Sequence, residues 1–102
     1  MIAHLLTDSA GRPRKYEVDY GSGDSAGDIT YYYDSHGTLR FAFARTNAVI
    51  GTRREDRVYY DSTGAQIYQD TRLLHGPPYR VGFDQPVRDP DADFRNPCGP
   101  ES

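Results

Sequence analysis

The feature that most constrains the fold is a four-residue turn that occurs three times at nearly constant spacing. The turns occupy residues 8–11, 34–37 and 61–64. Each reads Asp-Ser-x-Gly, and the third position is Ala, His and Thr in turn. Successive turns begin 26 and then 27 residues apart. The Asp side chain accepts backbone N–H groups in such a turn, and the Gly takes the left-handed conformation of a bulge. A repeat of this length predicts one supersecondary unit, a β-hairpin, used three times.

The stretch from residue 28 to residue 46 predicts a complete hairpin around the second turn. Large apolar side chains alternate with other residues on both sides of the turn, and this period of two is typical of strands. These side chains are Ile29, Tyr31, Tyr33, Leu39, Phe41 and Phe43. If Asp34 faces Thr38, Tyr33 lies opposite Leu39, Tyr31 opposite Phe41 and Ile29 opposite Phe43. The predicted register therefore places all six on one face.

The whole pattern predicts an all-β fold, an antiparallel meander of about six strands built from three hairpins. The other strands are expected at residues 1–7, 13–20, 58–60 and 66–72. Residues 21–27 are rich in Gly and Ser and are expected to form a flexible connection. In the last strand Ile67 and Tyr68 point to opposite faces, so the buried face of the third hairpin stays open.

The composition changes after Leu73, because six of the seven prolines follow it. Proline removes a backbone donor and disfavours regular structure. Large apolar residues continue as far as Val87, which predicts an extended segment packed on the sheet. We therefore expect a single β-meander domain over residues 1–87 and a disordered tail over residues 88–102.

Length and charge narrow the classes of function. A chain of 102 residues predicts one domain, and a net charge of −3 gives no electrostatic reason to expect a nucleic-acid partner. The same charge gives no reason to expect a membrane partner, and no run of 18 apolar residues is present, so no segment is expected to span a bilayer. Cys98 is the only cysteine, which excludes an intramolecular disulfide. The compartment stays open, with the periplasm or the exterior, for a mature fragment that has lost its leader, slightly favoured over the cytoplasm.

Two motifs suggest enzyme or metal chemistry only superficially. Residues 23–27 match the Gly-x-Ser-x-Gly motif around Ser25, but a nucleophile elbow needs a strand before it and a helix after it. Asp89, Asp91 and Asp93 have the spacing of positions 1, 3 and 5 of a calcium loop, yet Phe94 and Pro100 stand at positions 6 and 12, where Gly and Glu are needed.

The three histidines, His4, His36 and His75, lack a second ligand at the spacing of a zinc site. We therefore expect no catalytic residue, no metal and no cofactor.

The candidate binding residues are aromatic and basic. Tyr32 and Tyr59 occupy matching positions in two repeats, on the face opposite the predicted core, and Tyr is favoured at binding surfaces. The alternative is that the C-terminal segment covers them. Arg53, Arg54 and Arg57 form the second candidate group, for which the alternative is a solvated edge that resists strand addition.

Residues 31–39 and 58–66 carry a resemblance to known repeat families. Both contain Tyr-Tyr-Asp-Ser-x-Gly, which resembles the Tyr-Asp-x-x-Gly units of bacterial YD-repeat proteins and the hairpins of MORN-like repeat proteins. The similarity covers about half of the chain, and the spacing of 26 to 27 residues exceeds the MORN-like period. It implies a β-meander or solenoid-like scaffold that works by surface contact, without a catalytic residue.

These observations favour a non-enzymatic bacterial module that binds a protein partner through its aromatic face. The alternative is a structural repeat fragment of a larger secreted or cell-surface protein. A hydrolase is the third interpretation, and it would require His and Asp to converge on a nucleophile. A homodimer by strand pairing is a further expectation, through a free edge at residues 1–7 or 66–72.

Overall fold

The computed structural model describes residues 2–21, 25–48, 50–77 and 86–95, and it forms one antiparallel sheet of six strands. The strands lie in sequence order across the sheet, so the predicted all-β meander is confirmed. One short helix, α1, follows them. The bounds are β1 Ile2–Thr7, β2 Pro13–Gly21, β3 Ser25–Tyr33, β4 Leu39–Ala48, β5 Arg53–Tyr60, β6 Gln66–His75 and α1 Pro90–Arg95. β3 begins at Ser25 and β2 reaches Gly21, so the connection between them is shorter than predicted.

The three predicted turns share one geometry. In each, the Gly N–H donates to the Asp carbonyl at 2.9 to 3.0 Å, and Asp Oδ1 accepts two further backbone N–H groups at 2.8 to 3.1 Å. The turn glycines have φ angles of 81°, 81° and 87°. Hydrogen bonds to the side-chain oxygens lower the pKa of all three carboxyls. The main donor is the Arg12 backbone N–H for Asp8, the Thr38 backbone N–H for Asp34 and the Thr63 side chain for Asp61.

A bulge beside each of these turns shifts the register by one residue. In the second hairpin Tyr33 lies opposite Leu39 as predicted, but Tyr32 then lies opposite Phe41 because Arg40 is the extra residue. The rest of the predicted register is wrong: Tyr31 faces Ala42, and Ile29 faces Ala44. The same shift occurs beside the first and third turns, where Arg14 and Ile67 are the extra residues.

The core occupies one face of the sheet and is rich in tyrosine. Phe41 and Phe43 are excluded from it by the bulge, and two small residues, Ala42 and Ala44, take their predicted places. The small side chains leave room for the rings of neighbouring strands. The cluster of buried residues consists of Tyr16, Val18, Tyr31, Tyr33, Leu39, Ala42, Val58 and Tyr60.

The C-terminal segment covers this core. Val87 packs against it, as predicted, and the Val87 carbonyl accepts a hydrogen bond from the Tyr33 hydroxyl at 2.6 Å. Arg88 donates to the Gly64 carbonyl at 2.6 Å and lies 5.5 Å from the centre of the Tyr60 ring. The expected extended segment otherwise lies mostly outside the described residues, at 78–85.

Within the tail that the sequence predicts to be disordered, residues 90–95 form α1 and contact β1 and β2. The physical reason is a pair of contacts from Tyr16. Its hydroxyl donates to Asp93 at 2.5 Å, and its ring packs edge-on against Phe94. Residues 96–102 of the predicted tail lie outside the described residues.

Candidate functional site: an aromatic row across the sheet

A row of four aromatic side chains crosses the face opposite the C-terminal segment. The row consists of Tyr32, Phe41, Tyr59 and Tyr68, one from each of β3 to β6. Successive ring centres lie 5.7, 4.9 and 5.7 Å apart, and the ring planes are tilted by 36° to 47°. Aromatic pairs at these distances attract one another beyond their buried area. The rings therefore form one continuous ridge.

The repeat explains the row. Its members stand either five residues before or four residues after a turn glycine, and the bulge places these two positions directly opposite each other. The first repeat has Leu6 and Lys15 at these positions, and they also face each other. The Lys15 ammonium lies 5.6 Å from the centre of the Tyr32 ring, so the row continues to β1 with an apolar and a cationic member.

Most of the row is open to solvent in the described structure. Tyr32 is 39% exposed, Tyr59 is 37% exposed and Tyr68 is 59% exposed, while Phe41 is half-buried between its neighbours. The two tyrosines predicted from the sequence thus lie together on the expected face. The alternative for these tyrosines is that the C-terminal segment covers them. The described part of that segment, residues 86–95, packs on the other face.

Phe41 and Tyr68 were missed as candidate residues because the sequence interpretation omitted the bulge. Without it, Phe41 belongs to the core, and the face of Tyr68 stays undecided. The signal that would have found them was the repeat itself. Tyr68 stands four residues after Gly64, as Phe41 does after Gly37.

The three candidate arginines divide between the two faces, because side chains alternate along β5. Arg57 lies beside the row, with its guanidinium carbon 4.7 Å from the centre of the Phe43 ring and Nη1 3.3 Å from Glu55. Arg53 is exposed at the start of β5, opposite Asn47.

Arg54 points to the covered face and binds the buried Asp56 at 2.9 Å, so the structure does not bring it together with the row. The interpretation of this segment as a sheet edge is wrong, because β5 lies between β4 and β6.

The charges around the row are paired on the sheet itself. Ion pairs join Lys15 to Glu17 at 3.2 Å, Arg45 to Asp28 at 2.9 Å, Arg57 to Glu55 at 3.3 Å and Arg72 to Asp70 at 3.1 Å. Glu17 and Asp28 raise the pKa of Lys15 and Arg45 respectively by hydrogen bonding to their charged forms. The face thus combines an apolar ridge with charges of both signs, and it lacks the surplus positive charge that a polyanion would need.

The other sequence motifs have structural surroundings of their own. Asp89 accepts the Ala92 N–H at 3.2 Å at the start of α1, and Asp93 holds Tyr16. His75 Nδ1 lies 3.1 Å from the Gly51 carbonyl oxygen, while His4 and His36 are exposed. Within the described ranges, no three His, Cys, Asp or Glu side chains are grouped closely enough to hold a metal ion. The Ser25 side chain lies outside what the structure describes.

The described part of the chain has no helix of the length and hydropathy needed to cross a membrane. Comparisons of the chain with models of protein families, with curated proteins and with solved structures gave no match.

Proposed function

We propose that the chain is a non-enzymatic module that binds a protein partner through the aromatic row. The observation that carries the proposal is the continuity of the row over four strands on the face that residues 86–95 leave open. Rigid aromatic side chains are the residues that most often dominate protein interfaces. Tyrosine contributes a large apolar area together with a hydroxyl that can donate to or accept from a partner.

The charges define the chemistry of the partner. Since the basic side chains beside the row already contact acidic ones, the face favours a protein surface with an apolar strip and mixed charges at its rim. The spacing of the rings supports the same choice. With centres 4.9 to 5.7 Å apart and planes tilted, the rings form a ridge that fits a groove between side chains.

The test is a quantitative pull-down on the immobilised full chain, from lysate and spent medium of the source cells. The double variant Tyr32→Ser, Tyr59→Ser removes the first and third of the four rings of the row. Leu73→Ser is the matched control, because Leu73 is also an exposed apolar residue, 47% exposed, but lies opposite Arg54 on the other face. We expect the wild type and the Leu73→Ser control to enrich the same protein in near-equal amounts. The double variant should recover none of it.

The partner's footprint makes the test specific. Amide exchange of the purified complex should fall in β3 to β6 around the row, because these strands carry the ridge. Equal recovery on the double variant would reject the row as the binding site. No enrichment at all would favour the alternative, in which the repeats serve a structural role in a larger protein.

A further inference from the structure

β6 presents a long free edge. Among the described strands it pairs only with β5, and it runs over ten residues with nearly every side chain exposed. The strand at the other edge, β1, has six residues and is contacted by α1. Unpaired strand edges are templates for pairing with another chain unless charge, proline or a cover protects them.

The repeat shows why β6 differs from the earlier strands at the same place. The bulge residue Arg14 donates from Nε to the Tyr33 carbonyl of the next hairpin at 3.1 Å, and Arg40 donates in the same way to the Tyr60 carbonyl at 3.1 Å. The third bulge residue is Ile67, which has no donor. A head-to-tail addition of β1 from another copy would therefore lack the hydrogen bond that joins successive hairpins.

We propose that β6 pairs antiparallel with β6 of a second copy, around a two-fold axis at Thr71, to form a continuous twelve-stranded sheet. Such an interface is isologous, so the same edge serves both copies and the assembly closes as a dimer. In this register Asp70 of each copy lies opposite Arg72 of the other. Gln69 lies opposite Leu73, and Tyr68 lies next to Leu74, which is the extra residue of a further bulge in β6, between the partners of Arg54 and Arg53.

Charge selects this register. A two-fold axis perpendicular to the sheet leaves every side chain on its own face, and directly opposed residues of an antiparallel pair share a face. The axis must therefore pass beside one residue of β6, which lies opposite its own copy. An axis at Asp70 would oppose two carboxylates, and an axis at Arg72 would oppose two guanidinium groups, both of which are destabilising. Only the axis at Thr71, between them, opposes each charge with its opposite.

The same register continues the charge pattern already present inside the chain. Asp70 lies opposite Arg57 on β5, and Arg72 lies opposite Glu55. Across the two-fold axis, the line of charged side chains through Arg57 and Asp70 continues with Arg72 and Glu55 of the second copy. The sign of the charge therefore alternates through all four strands. The aromatic row similarly gains an apolar neighbour, because its last member Tyr68, 59% exposed, meets Leu74, 56% exposed.

The association is measured by sedimentation equilibrium of the full chain over a range of concentrations. We expect a monomer–dimer equilibrium that Leu74→Asp weakens at least tenfold, because two such pairs are lost in each dimer. Leu6→Asp is the matched control. Leu6 is 47% exposed on β1, and its replacement should leave the dimer unchanged. A monomer at all concentrations, or a dimer lost with Leu6→Asp and kept with Leu74→Asp, would overturn the proposal.

The register is tested by disulfide formation in a Cys98→Ser background, which removes the only native cysteine. Opposed Cα atoms of an antiparallel pair lie about 4.5 to 5.5 Å apart, within disulfide range. Thr71→Cys should link to itself, whereas Gln69→Cys should not, because two copies of residue 69 would lie about 13 Å apart.

Thr71→Cys also loses a hydrogen bond to Asp56, so a second pair keeps the register test independent of that change. A mixture of Gln69→Cys and Leu73→Cys chains should form the mixed disulfide. A dimer in which Gln69→Cys links to itself, or in which neither expected link forms, would overturn the register. Tyr32 and Tyr59 lie on β3 and β5 and not on the β6 edge, so the Tyr32→Ser, Tyr59→Ser variant should still dimerise, and failure of one proposal is distinguishable from failure of the other.

Discussion

Asp56 is a fully buried carboxylate in the middle of β5. It accepts hydrogen bonds from Arg54 Nε at 2.9 Å, from Arg54 Nη2 at 2.9 Å and from the Thr71 hydroxyl at 2.6 Å. An ionised group at such a place is tolerated only when a partner and hydrogen bonds replace its hydration. Since Thr71 belongs to β6, the group also fixes the last strand to the sheet on its covered face.

Asp56→Ala should therefore lower the free energy of unfolding by about 3 kcal/mol or more, because the Arg54 guanidinium loses its carboxylate partner while staying largely buried. Urea unfolding at neutral pH measures the change. In the double variant Arg54→Met, Asp56→Ala the loss should be clearly smaller than the sum of the two single losses. Additive losses would show that the two side chains contribute independently.

The alternation of side chains along β5 is readable in the sequence, and it separates Arg54 and Asp56 from Arg53 and Arg57. The sequence did not indicate which of these two sets is buried, because Ile67 and Tyr68 gave both faces of the last hairpin a large apolar residue. The answer depends on the cover, since the segment around Val87 and Arg88 packs on one face only. That choice is made by tertiary contacts about 30 residues away along the chain, which a local pattern does not contain.

At the scale of elements, the turns were predictable and the bulges were not. Asp and Gly at fixed positions specify the turn through local hydrogen bonds and a positive φ, so the three hairpins follow from short sequence motifs. A one-residue bulge exchanges the faces of a strand, and this moved Phe41 from the predicted core to the aromatic row. In each repeat with an arginine at the bulge, the guanidinium bonds to the next hairpin, so the feature is stabilised by a contact beyond its own hairpin.

The helix α1 is held by the sheet rather than by its own sequence, since six residues are too few to be stable alone. Tyr16→Phe removes the hydrogen bond to Asp93 and should release α1 while the strands stay paired. Amide exchange at residues 90–95 should then increase severalfold, with the exchange of β3 to β5 unchanged. Tyr32→Phe, on the opposite face, is the control. Unchanged exchange in α1 would mean that the Phe94 contact alone holds the helix.

At the scale of the whole molecule, the described residues form one sheet whose core depends on buried tyrosines and on the segment that covers them. Tyr33 is 3% exposed and Tyr60 is 2% exposed, and both lie beneath residues 87–88. Among the described residues the Tyr60 hydroxyl has no hydrogen-bond partner, whereas the Tyr33 hydroxyl donates to Val87. A core of this kind is apolar only while its phenols stay protonated. The stability of the fold should therefore fall at alkaline pH.

Burial raises the pKa of Tyr33 and of Tyr16 well above the ordinary value for tyrosine, and it also raises that of Tyr60. The folded state therefore holds its protons more tightly than the unfolded state, where tyrosine has a pKa of about 10. This contribution to stability is fully present below pH 10 and is lost as the pH rises above it. Each such tyrosine should lower the free energy of unfolding by about 1.4 kcal/mol per pH unit there.

Urea unfolding at several pH values between 8 and 11.5 measures this loss, and Tyr33→Phe isolates one contributor. The variant should be less stable than the wild type at pH 8, because it lacks the hydrogen bond to Val87. The difference should shrink as the pH rises, since Phe has no proton to lose and the wild type alone bears the cost of keeping Tyr33 neutral. A difference that stays constant up to pH 11.5 would show that the Tyr33 hydroxyl is accessible to water in the folded protein and that the segment around Val87 does not seal the core.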